Sequence, residues 1–107
     1  MKALRVQYTV RSAYTEQNKR NVAAVMAELR ASGRTDIKYA TYLHEDDKTF
    51  MHFIHYASAE AEGLVEKLNA FPKFRDELKP NLETPPTFDT FALAHSSWDV
   101  FPLPVAA

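Results

Sequence analysis

This sequence of 107 residues contains four histidines, the residue type whose side chain titrates nearest to neutral pH. Of the four, His52 has the most unusual setting. It lies in the middle of a largely apolar run that is predicted to be a strand. A histidine on an apolar face suits a general base or a hydrogen-bond anchor for a phenolic substrate. It equally suits a core residue whose ring is satisfied by Thr41, a tyrosine hydroxyl or the backbone. We predict His52 as the candidate catalytic residue, with the core interpretation open beside it.

Aromatic residues fall around His52 in a pattern that could form the walls of a ligand site. Tyr8, Tyr39 and Tyr56 occupy strand positions predicted to share a face with His52. Tyrosines offer flat walls and hydroxyl groups to an aromatic ligand, and they also serve as core residues with hydroxyls at the rim. Two phenylalanines at a predicted helix break either cover this cavity or belong to the core. The candidate substrate-binding residues are Tyr8, Tyr39, Thr41, Tyr56, Phe71 and Phe74.

The histidines do not form a convincing metal site. His52 and His55 are three positions apart, and odd spacing on a strand directs the two rings to opposite faces. His44 and His55 share a face but lie near opposite ends of a predicted hairpin, roughly 20 Å or more apart. His95 could approach His55 near the end of the sheet, but no carboxylate or cysteine completes a ligand set. We therefore expect no metal.

Composition excludes several classes of function. The chain has 13 Lys and Arg against 14 Asp and Glu, which gives a net charge of −1 and no basic footprint for nucleic acid. It contains no cysteine, which excludes disulfides, thiol nucleophiles and iron–sulfur clusters. Its two glycines, Gly33 and Gly63, cannot form a dinucleotide fingerprint or a phosphate-binding loop. We expect no bound cofactor.

The ends of the chain favour a single cytoplasmic domain. Residues 1–7 alternate in polarity and lack the apolar stretch of a signal peptide, and no run of apolar residues is long enough for a membrane span. We predict one domain over residues 1–107, with a core over 3–95 and a tail over 96–107. The tail carries Trp98, Val100, Phe101 and Leu103, so we expect it to pack on a partner subunit or to close the cavity mouth.

Hydrophobic periodicity predicts the elements that would position these residues. Alternating polarity predicts a first strand over residues 4–10. Apolar residues at i, i+3, i+4 and i+7 predict a helix that is capped by Thr15 and ended by Gly33. Two further strands, over 37–44 and 48–56, form a hairpin in which Glu45 and Lys48 pair across the turn.

The second half of the chain predicts another helix and a final strand. A helix beginning near Ser58 would bury Ala61, Leu64, Val65 and Leu68. Pro72 would interrupt it and start a short helix over 73–79, and residues 87–95 would form the last strand. This order is β-α-β-β-α-β, which predicts an α+β, ferredoxin-like fold with both helices on one face of a four-stranded antiparallel sheet.

Strand parity predicts that both faces of this sheet are apolar. A turn of two or four residues would pair Thr41 with His52 and place both on the helix-covered face, whereas a three-residue turn would reverse this pairing. The opposite face would still carry apolar residues that need a cover. A second copy of the chain is the plausible cover, so we predict a homodimer with its sheets packed face to face. The residues in question are Tyr42, Met51, Phe53, Phe91 and Leu93.

From Ala3 to about His95, the order of elements resembles the dimeric α+β barrel superfamily, and within it the antibiotic-biosynthesis-monooxygenase-like group. The more specific stretches are Tyr56-Ala57-Ser58 and Leu68-Asn69-Ala70-Phe71-Pro72-Lys73-Phe74, similar to the family's Ser-initiated helix and Pro-aromatic break. The resemblance implies a cavity between the sheet and the helices of each subunit. It also implies cofactor-independent monooxygenation of a small phenol or quinol, in which His52 deprotonates or orients the substrate between tyrosines.

The sequence departs from that family at two places. Many members carry a histidine shortly before the Pro break, where this chain has Glu66-Lys67-Leu68. The Asn, Trp and His set of the haem-degrading branch cannot be placed, because Trp98 lies in the tail, so we expect no haem. Two other functions stay open on this fold. One is a non-catalytic small-molecule-binding or stress-response dimer, and the other is an isomerase or lactone-processing enzyme.

Overall fold

The computed structural model describes residues 1–101 and contains one four-stranded antiparallel sheet with helices on one face. The elements are β1 (Lys2–Thr9), α1 (Thr15–Ala31), β2 (Ile37–Leu43), β3 (Thr49–Tyr56), α2 (Phe71–Leu78) and β4 (Thr87–Ala92). The strands lie in the order β2-β3-β1-β4 in the sheet, and the chain order of the elements is the predicted ferredoxin-like arrangement. The predicted tail residue Leu103 lies outside the described residues.

The register of the β2–β3 hairpin is the predicted one. Thr41 pairs with His52, and Leu43 pairs with Phe50. The backbone N–H of His44 donates to the carbonyl of Thr49 at 2.8 Å, so the turn consists of residues 45–48. This parity places His52 on the helix-covered face, where only 2% of its surface is exposed.

The predicted pairing of Glu45 with Lys48 across this turn is wrong. Lys48 Nζ instead lies 3.1 Å from a carboxylate oxygen of Glu83. The carboxylate of Asp46 closes the turn, because it accepts the backbone N–H groups of Lys48 at 3.0 Å and Thr49 at 2.8 Å. The hydroxyl of Thr49 also donates to Asp46 at 2.6 Å, and these bonds lower the pKa of Asp46 to about 2.

Helix α1 begins differently from the prediction and ends as predicted. Thr15 is not a cap, because a 3-10 turn over Ser12–Tyr14 leads directly into the helix. The Thr15 hydroxyl donates to the carbonyl of Asp47 at 2.7 Å and so ties the start of α1 to the hairpin turn. At the other end, Gly33 adopts φ +69° and its N–H donates to the carbonyl of Arg30 at 3.1 Å, which satisfies an end carbonyl of the helix.

The predicted long helix from Ser58 is wrong. Residues 58–69 form two short 3-10 turns, Ala59–Ala61 and Val65–Lys67. Gly63 lies between them at φ +79°, a left-handed conformation that an α-helix cannot continue through. Of the four residues predicted to be buried, Ala61 and Val65 are buried, and Leu64 and Leu68 are partly buried against the core. The apolar spacing therefore identified the inward-facing side chains but not the backbone conformation.

Helix α2 is held at its start by a side chain from α1. The helix runs over 71–78 rather than 73–79, with Pro72 in its first turn, where a missing N–H costs nothing. The carboxylate of Glu28 accepts the backbone N–H groups of Asn69 at 2.7 Å and Ala70 at 2.8 Å, immediately before the helix. Both oxygens of one carboxylate therefore fix the entry to α2. The last strand, β4, ends at Ala92 rather than at 95.

The sheet face opposite the helices, here called the far face, carries large exposed apolar groups. Tyr42 is 59% exposed and Phe91 is 44% exposed. Arg5 lies over the Phe91 ring at 5.5 Å and donates to Asp89 at 2.6 Å. Trp98, 65% exposed, lines a cleft with Tyr42 rather than the helix-side cavity described below. Among the described residues, no helix is long and apolar enough to cross a membrane.

Candidate functional site

A cavity of about 260 Å³ lies between the helix-covered face of the sheet and α2. A cavity of roughly 150 Å³ holds a benzene molecule, so this volume fits a small aromatic compound. Its walls are largely apolar and aromatic. The sheet contributes residues including Leu4, Val6, Tyr8, Tyr39, His52 and Tyr56, and α2 contributes Phe71, Phe74 and Arg75.

The structure brings most of the predicted site residues to this one cavity. His52, the three tyrosines and the two phenylalanines all line it. Thr41 does not, although its Oγ1 lies 3.0 Å from Nδ1 of His52, so it contacts the histidine without forming the cavity wall. The Phe74 ring meets the His52 ring edge-on at 5.8 Å, so α2 places one aromatic ring against the imidazole. The Phe71 ring packs on Phe74 at 5.8 Å.

Both ring nitrogens of His52 are occupied by hydroxyl groups of the protein. Nε2 lies 2.8 Å from the Tyr8 hydroxyl. Nδ1 lies 2.6 Å from the Tyr39 hydroxyl and 3.0 Å from that of Thr41. The ring is therefore satisfied on both sides, as a buried polar group should be. A substrate placed in the cavity would reach His52 through one of these hydroxyls rather than directly.

Burial keeps the groups of this network uncharged. Desolvation lowers the pKa of His52 to about 4, so the imidazole is neutral at physiological pH. Burial also raises the pKa of the Tyr8 and Tyr39 phenols well above their ordinary range. The network of His52, Tyr8 and Tyr39 consequently presents neutral hydrogen-bond donors and acceptors to a ligand.

Asn18 on α1 completes the network, although it was not among the site residues predicted from the sequence. The residue is fully buried, and its Nδ2 donates to the Tyr8 hydroxyl at 2.8 Å. Its carbonyl oxygen Oδ1 has no hydrogen-bond partner among the described residues. A signal was present, because Asn18 precedes Val22 and Val25 by four and seven positions and so continues the buried stripe of the helix.

Charged side chains gather at the rim of the cavity. Arg75, Lys79 and Glu66 all line it. The Arg75 guanidinium lies 5.8 Å from the centre of the Phe71 ring and its Nε donates to Asp76 at 2.9 Å. The cavity thus combines an apolar, hydroxyl-bearing interior with a polar entrance.

The other histidines lie apart from this network. Register places His55 opposite Ala3 and His52 opposite Val6, so the two rings point to opposite faces of the sheet, as predicted. His44 sits at the hairpin turn, where its Nδ1 accepts the backbone N–H of Asp46 at 3.1 Å. Within residues 1–101, no three His, Asp or Glu side chains come close enough together to share a metal ion.

Comparison with solved structures identifies the fold. A protein from Mycobacterium tuberculosis, Rv0793, superposes with a TM-score of 0.75 at 16% identity, covering 91% of this chain and 98% of that one. An antibiotic biosynthesis monooxygenase superposes with a TM-score of 0.74 at 8% identity, covering 89% of this chain and 100% of that one. The chain shares the fold of these two proteins. The predicted ferredoxin-like α+β fold is therefore confirmed.

A third structure with this fold is described as a cofactor-independent oxygenase. SnoaB from Streptomyces nogalater, a cofactor-independent oxygenase, superposes with a TM-score of 0.63 at 14% identity, covering 92% of this chain and 97% of that one. No protein-family model matches the chain, and no curated protein matches its sequence. At these identities the likeness establishes the fold and leaves the reaction to be argued from the cavity.

Proposed function

We propose that the protein is a cofactor-independent monooxygenase acting on a small phenol or quinol. The observation that carries this proposal is the cavity of about 260 Å³ that is walled by aromatic rings and has the hydroxyl-bonded imidazole of His52 in one wall. Such a cavity would hold a flat ring and offer hydrogen bonds to its oxygen. SnoaB, described as a cofactor-independent oxygenase, supports the proposal because it has the same fold.

In this mechanism the protein positions and desolvates a substrate that reacts with dioxygen by itself. The electron-rich ring, as its phenolate or enolate, supplies the electrons. One oxygen atom of dioxygen becomes a carbonyl oxygen of the product, and the other leaves as water with two hydrogens from the substrate. Tyr39, backed by His52 at 2.6 Å, is the group we assign to the substrate oxygen, and Tyr8, Tyr56, Phe71 and Phe74 hold the ring.

A second function, non-catalytic binding of a hydrophobic small molecule, is favoured by one specific observation. Neither nitrogen of His52 is open to the cavity, because protein hydroxyls occupy both. A general base that touches its substrate needs a free acceptor within about 3 Å of the proton it removes. A binding protein has no such need, so the same wall would serve recognition alone.

We further propose that the functional unit is a homodimer whose far faces pack against one another. The exposed side chains of Tyr42 and Phe91 leave an apolar surface that water solvates poorly. The helices cover only the opposite face of the sheet, so a second copy would provide the missing cover. The proposal places the two cavities on the outer sides of the paired sheets.

Dioxygen uptake by the purified protein tests the proposed reaction. The panel contains anthrones, hydroquinones and polyphenols without added cofactor, and heat-inactivated protein and the Tyr39→Phe variant are the blanks. We expect uptake above both blanks for at least one compound. A folded protein that is stabilised by a panel compound yet consumes no dioxygen would contradict the oxygenase and establish the binding function.

A further inference from the structure

We propose that Asn18 is a positioning residue that fixes the tautomer of His52 and thereby makes the Tyr39 hydroxyl a hydrogen-bond donor toward the cavity. The four groups form one continuous chain, from Asn18 through Tyr8 and His52 to Tyr39. The consequence for substrate recognition rests on the proposed function, since it takes the cavity as the substrate site. The tautomer itself is a property of the protein without ligand.

The direction of the chain is set at its buried end. The Nδ2 of Asn18 donates to the Tyr8 hydroxyl at 2.8 Å, and this bond uses one lone pair of the phenolic oxygen. Tyr8 has a single proton to donate, and its other polar contact is Nε2 of His52 at 2.8 Å. If that proton pointed elsewhere, a buried O–H would have no acceptor, which is unfavourable. Tyr8 therefore donates to Nε2.

The tautomer of His52 follows from that bond. A neutral imidazole has one N–H, and a nitrogen that accepts from Tyr8 cannot also carry it. The proton must lie on Nδ1, which then donates to Tyr39 at 2.6 Å and, more weakly, to Thr41 at 3.0 Å. Once Tyr39 has accepted this bond, its own proton is available to an acceptor in the cavity that it lines.

The cavity wall would recognise one kind of ligand oxygen. A donating Tyr39 selects an oxygen that brings lone pairs and no proton, which is a phenolate, an enolate or a carbonyl oxygen. The reversed chain, with the proton on Nε2, would turn Tyr39 toward Nδ1 and leave its lone pairs to accept a phenolic O–H. Asn18 lies two hydrogen bonds from His52 on a different element, so its part in recognition is indirect.

The first experiment reads the tautomer directly. Nitrogen-15 chemical shifts of the His52 ring in the ligand-free protein identify which nitrogen carries the proton. We expect Nδ1–H in the wild type and a mixture of both tautomers in Asn18→Leu, where Tyr8 loses its donor. The matched control, Asn21→Leu, lies on the same helix and bonds Tyr14 instead, so it should keep Nδ1–H.

Two results would overturn the assignment. One is Nε2–H in the wild type, which needs no variant to fold. The other is an unchanged Nδ1–H signal in Asn18→Leu. The tautomer is measured without ligand, so neither result bears on the proposed reaction, which dioxygen uptake tests separately. An absence of uptake would in turn overturn the proposed reaction and leave the tautomer standing.

The second experiment measures whether the site prefers a phenolate to the neutral phenol. The dissociation constant of 4-nitrophenol is measured at a pH below its pKa, and that of 4-nitrophenolate at a pH above it. The ratio of the two constants gives the preference of the site for the charged form. A hydrogen bond to a charged oxygen is worth about 1.5–3 kcal/mol, so Tyr39→Phe should reduce this preference by roughly tenfold or more. An equal preference in Tyr39→Phe, or failure of both forms to bind the wild type, would overturn the assignment of Tyr39 as a donor to the ligand.

Discussion

At the scale of single residues, the cavity depends on one buried imidazole. His52 holds the hydroxyls of Tyr8, Tyr39 and Thr41 in place, and these hydroxyls in turn satisfy both of its nitrogens. The network therefore contributes to stability and shapes the ligand site at the same time. A substitution here is expected to affect both, and the two effects are measured separately.

Replacing His52 should destabilise the fold. In His52→Leu the hydroxyls of Tyr8 and Tyr39 lose a buried partner, and we expect a loss of about 2–4 kcal/mol in the free energy of unfolding, measured with urea. The exposed His95 provides the control, since His95→Ala should stay within about 0.5 kcal/mol of the wild type. Equal losses in both variants would show that the network contributes nothing.

The same histidine should make stability depend on pH. Burial lowers the pKa of His52 from 6.5 in the unfolded chain to about 4 in the folded one. Between these values the unfolded chain binds a proton that the folded state does not, so stability is complete above pH 6.5 and decreases as the pH falls toward 4. The full decrease is about 3 kcal/mol.

Urea unfolding at pH 7 and pH 4.5 checks this dependence. The Asp46 carboxyl, whose pKa is lowered to about 2, changes stability only at more acidic pH and does not contribute in this range. The His52→Leu variant lacks the titrating group and should lose markedly less stability between the two pH values. A wild type that is as stable at pH 4.5 as at pH 7 would contradict a buried, neutral His52.

Strand parity predicted the histidine and the tyrosines that line the cavity, but it also included Thr41, which does not line it. Alternation in β2 and β3 placed His52, Tyr39 and Tyr56 on one face, because a strand allows only two faces. Strand parity says nothing about Asn18, which lies on α1, and an asparagine is easily taken for a solvent-facing residue even where it continues the buried stripe of a helix. The role of His52 also stayed open, because a buried base and a satisfied core histidine have the same sequence pattern.

At the scale of elements, helix α2 is the wall of the cavity that depends most on a tether. It has eight residues, which is short for independent stability, and no side chain of its own caps its first turn. Glu28 on α1 provides that cap through Asn69 and Ala70. The position of Phe71 and Phe74 over the cavity thus depends on a contact between two elements.

Removing this tether should loosen α2 selectively. We expect Glu28→Ala to cost about 1–2 kcal/mol, as the loss of a helix cap does, and to speed amide hydrogen exchange at Asn69 and Ala70. Glu28→Gln keeps one carbonyl acceptor, so its stability and its amide exchange rates should lie between those of Glu28→Ala and the wild type. Glu45→Ala, at an exposed turn position, is the control and should leave exchange unchanged. Unchanged exchange in Glu28→Ala would contradict the tether.

The element that sequence periodicity misjudged lies just before α2. Residues 58–69 have the apolar spacing of a helix, but Gly63 at φ +79° divides them into two turns. Periodicity reports which side chains are buried and is insensitive to a single left-handed residue. The start of α2 was likewise missed by two residues, because the capping carboxylate comes from 41 positions earlier in the chain.

At the scale of the whole molecule, the far face is the feature that a single chain leaves unexplained. It exposes Tyr42 and Phe91 while the helices cover only the other face. The sequence predicted this face from parity alone, and register confirms that Phe91 lies opposite Ala3 on it. The proposed cover, a second copy of the chain, is not specified by parity within one chain.

The proposed homodimer predicts a measurable mass. Light scattering at micromolar concentration should give twice the mass of one chain, and Tyr42→Glu combined with Phe91→Glu should give a monomer by burying charge in the interface. Ala24→Glu, on the exposed side of α1, should remain a dimer. A wild-type protein that is monomeric at this concentration would contradict the proposed homodimer.

Locating a bound phenol by NMR under anaerobic conditions tests whether the helix-side cavity is the ligand site. Titration with a hydroquinone that turns over in air, or with 1-naphthol if none does, is followed through the aromatic and imidazole resonances. We predict that the perturbed signals are those of the helix-side cavity: Tyr8, Tyr39, His52, Tyr56, Phe71 and Phe74. Perturbations confined to the far face around Tyr42 and Phe91, or none with any phenol, would contradict the account.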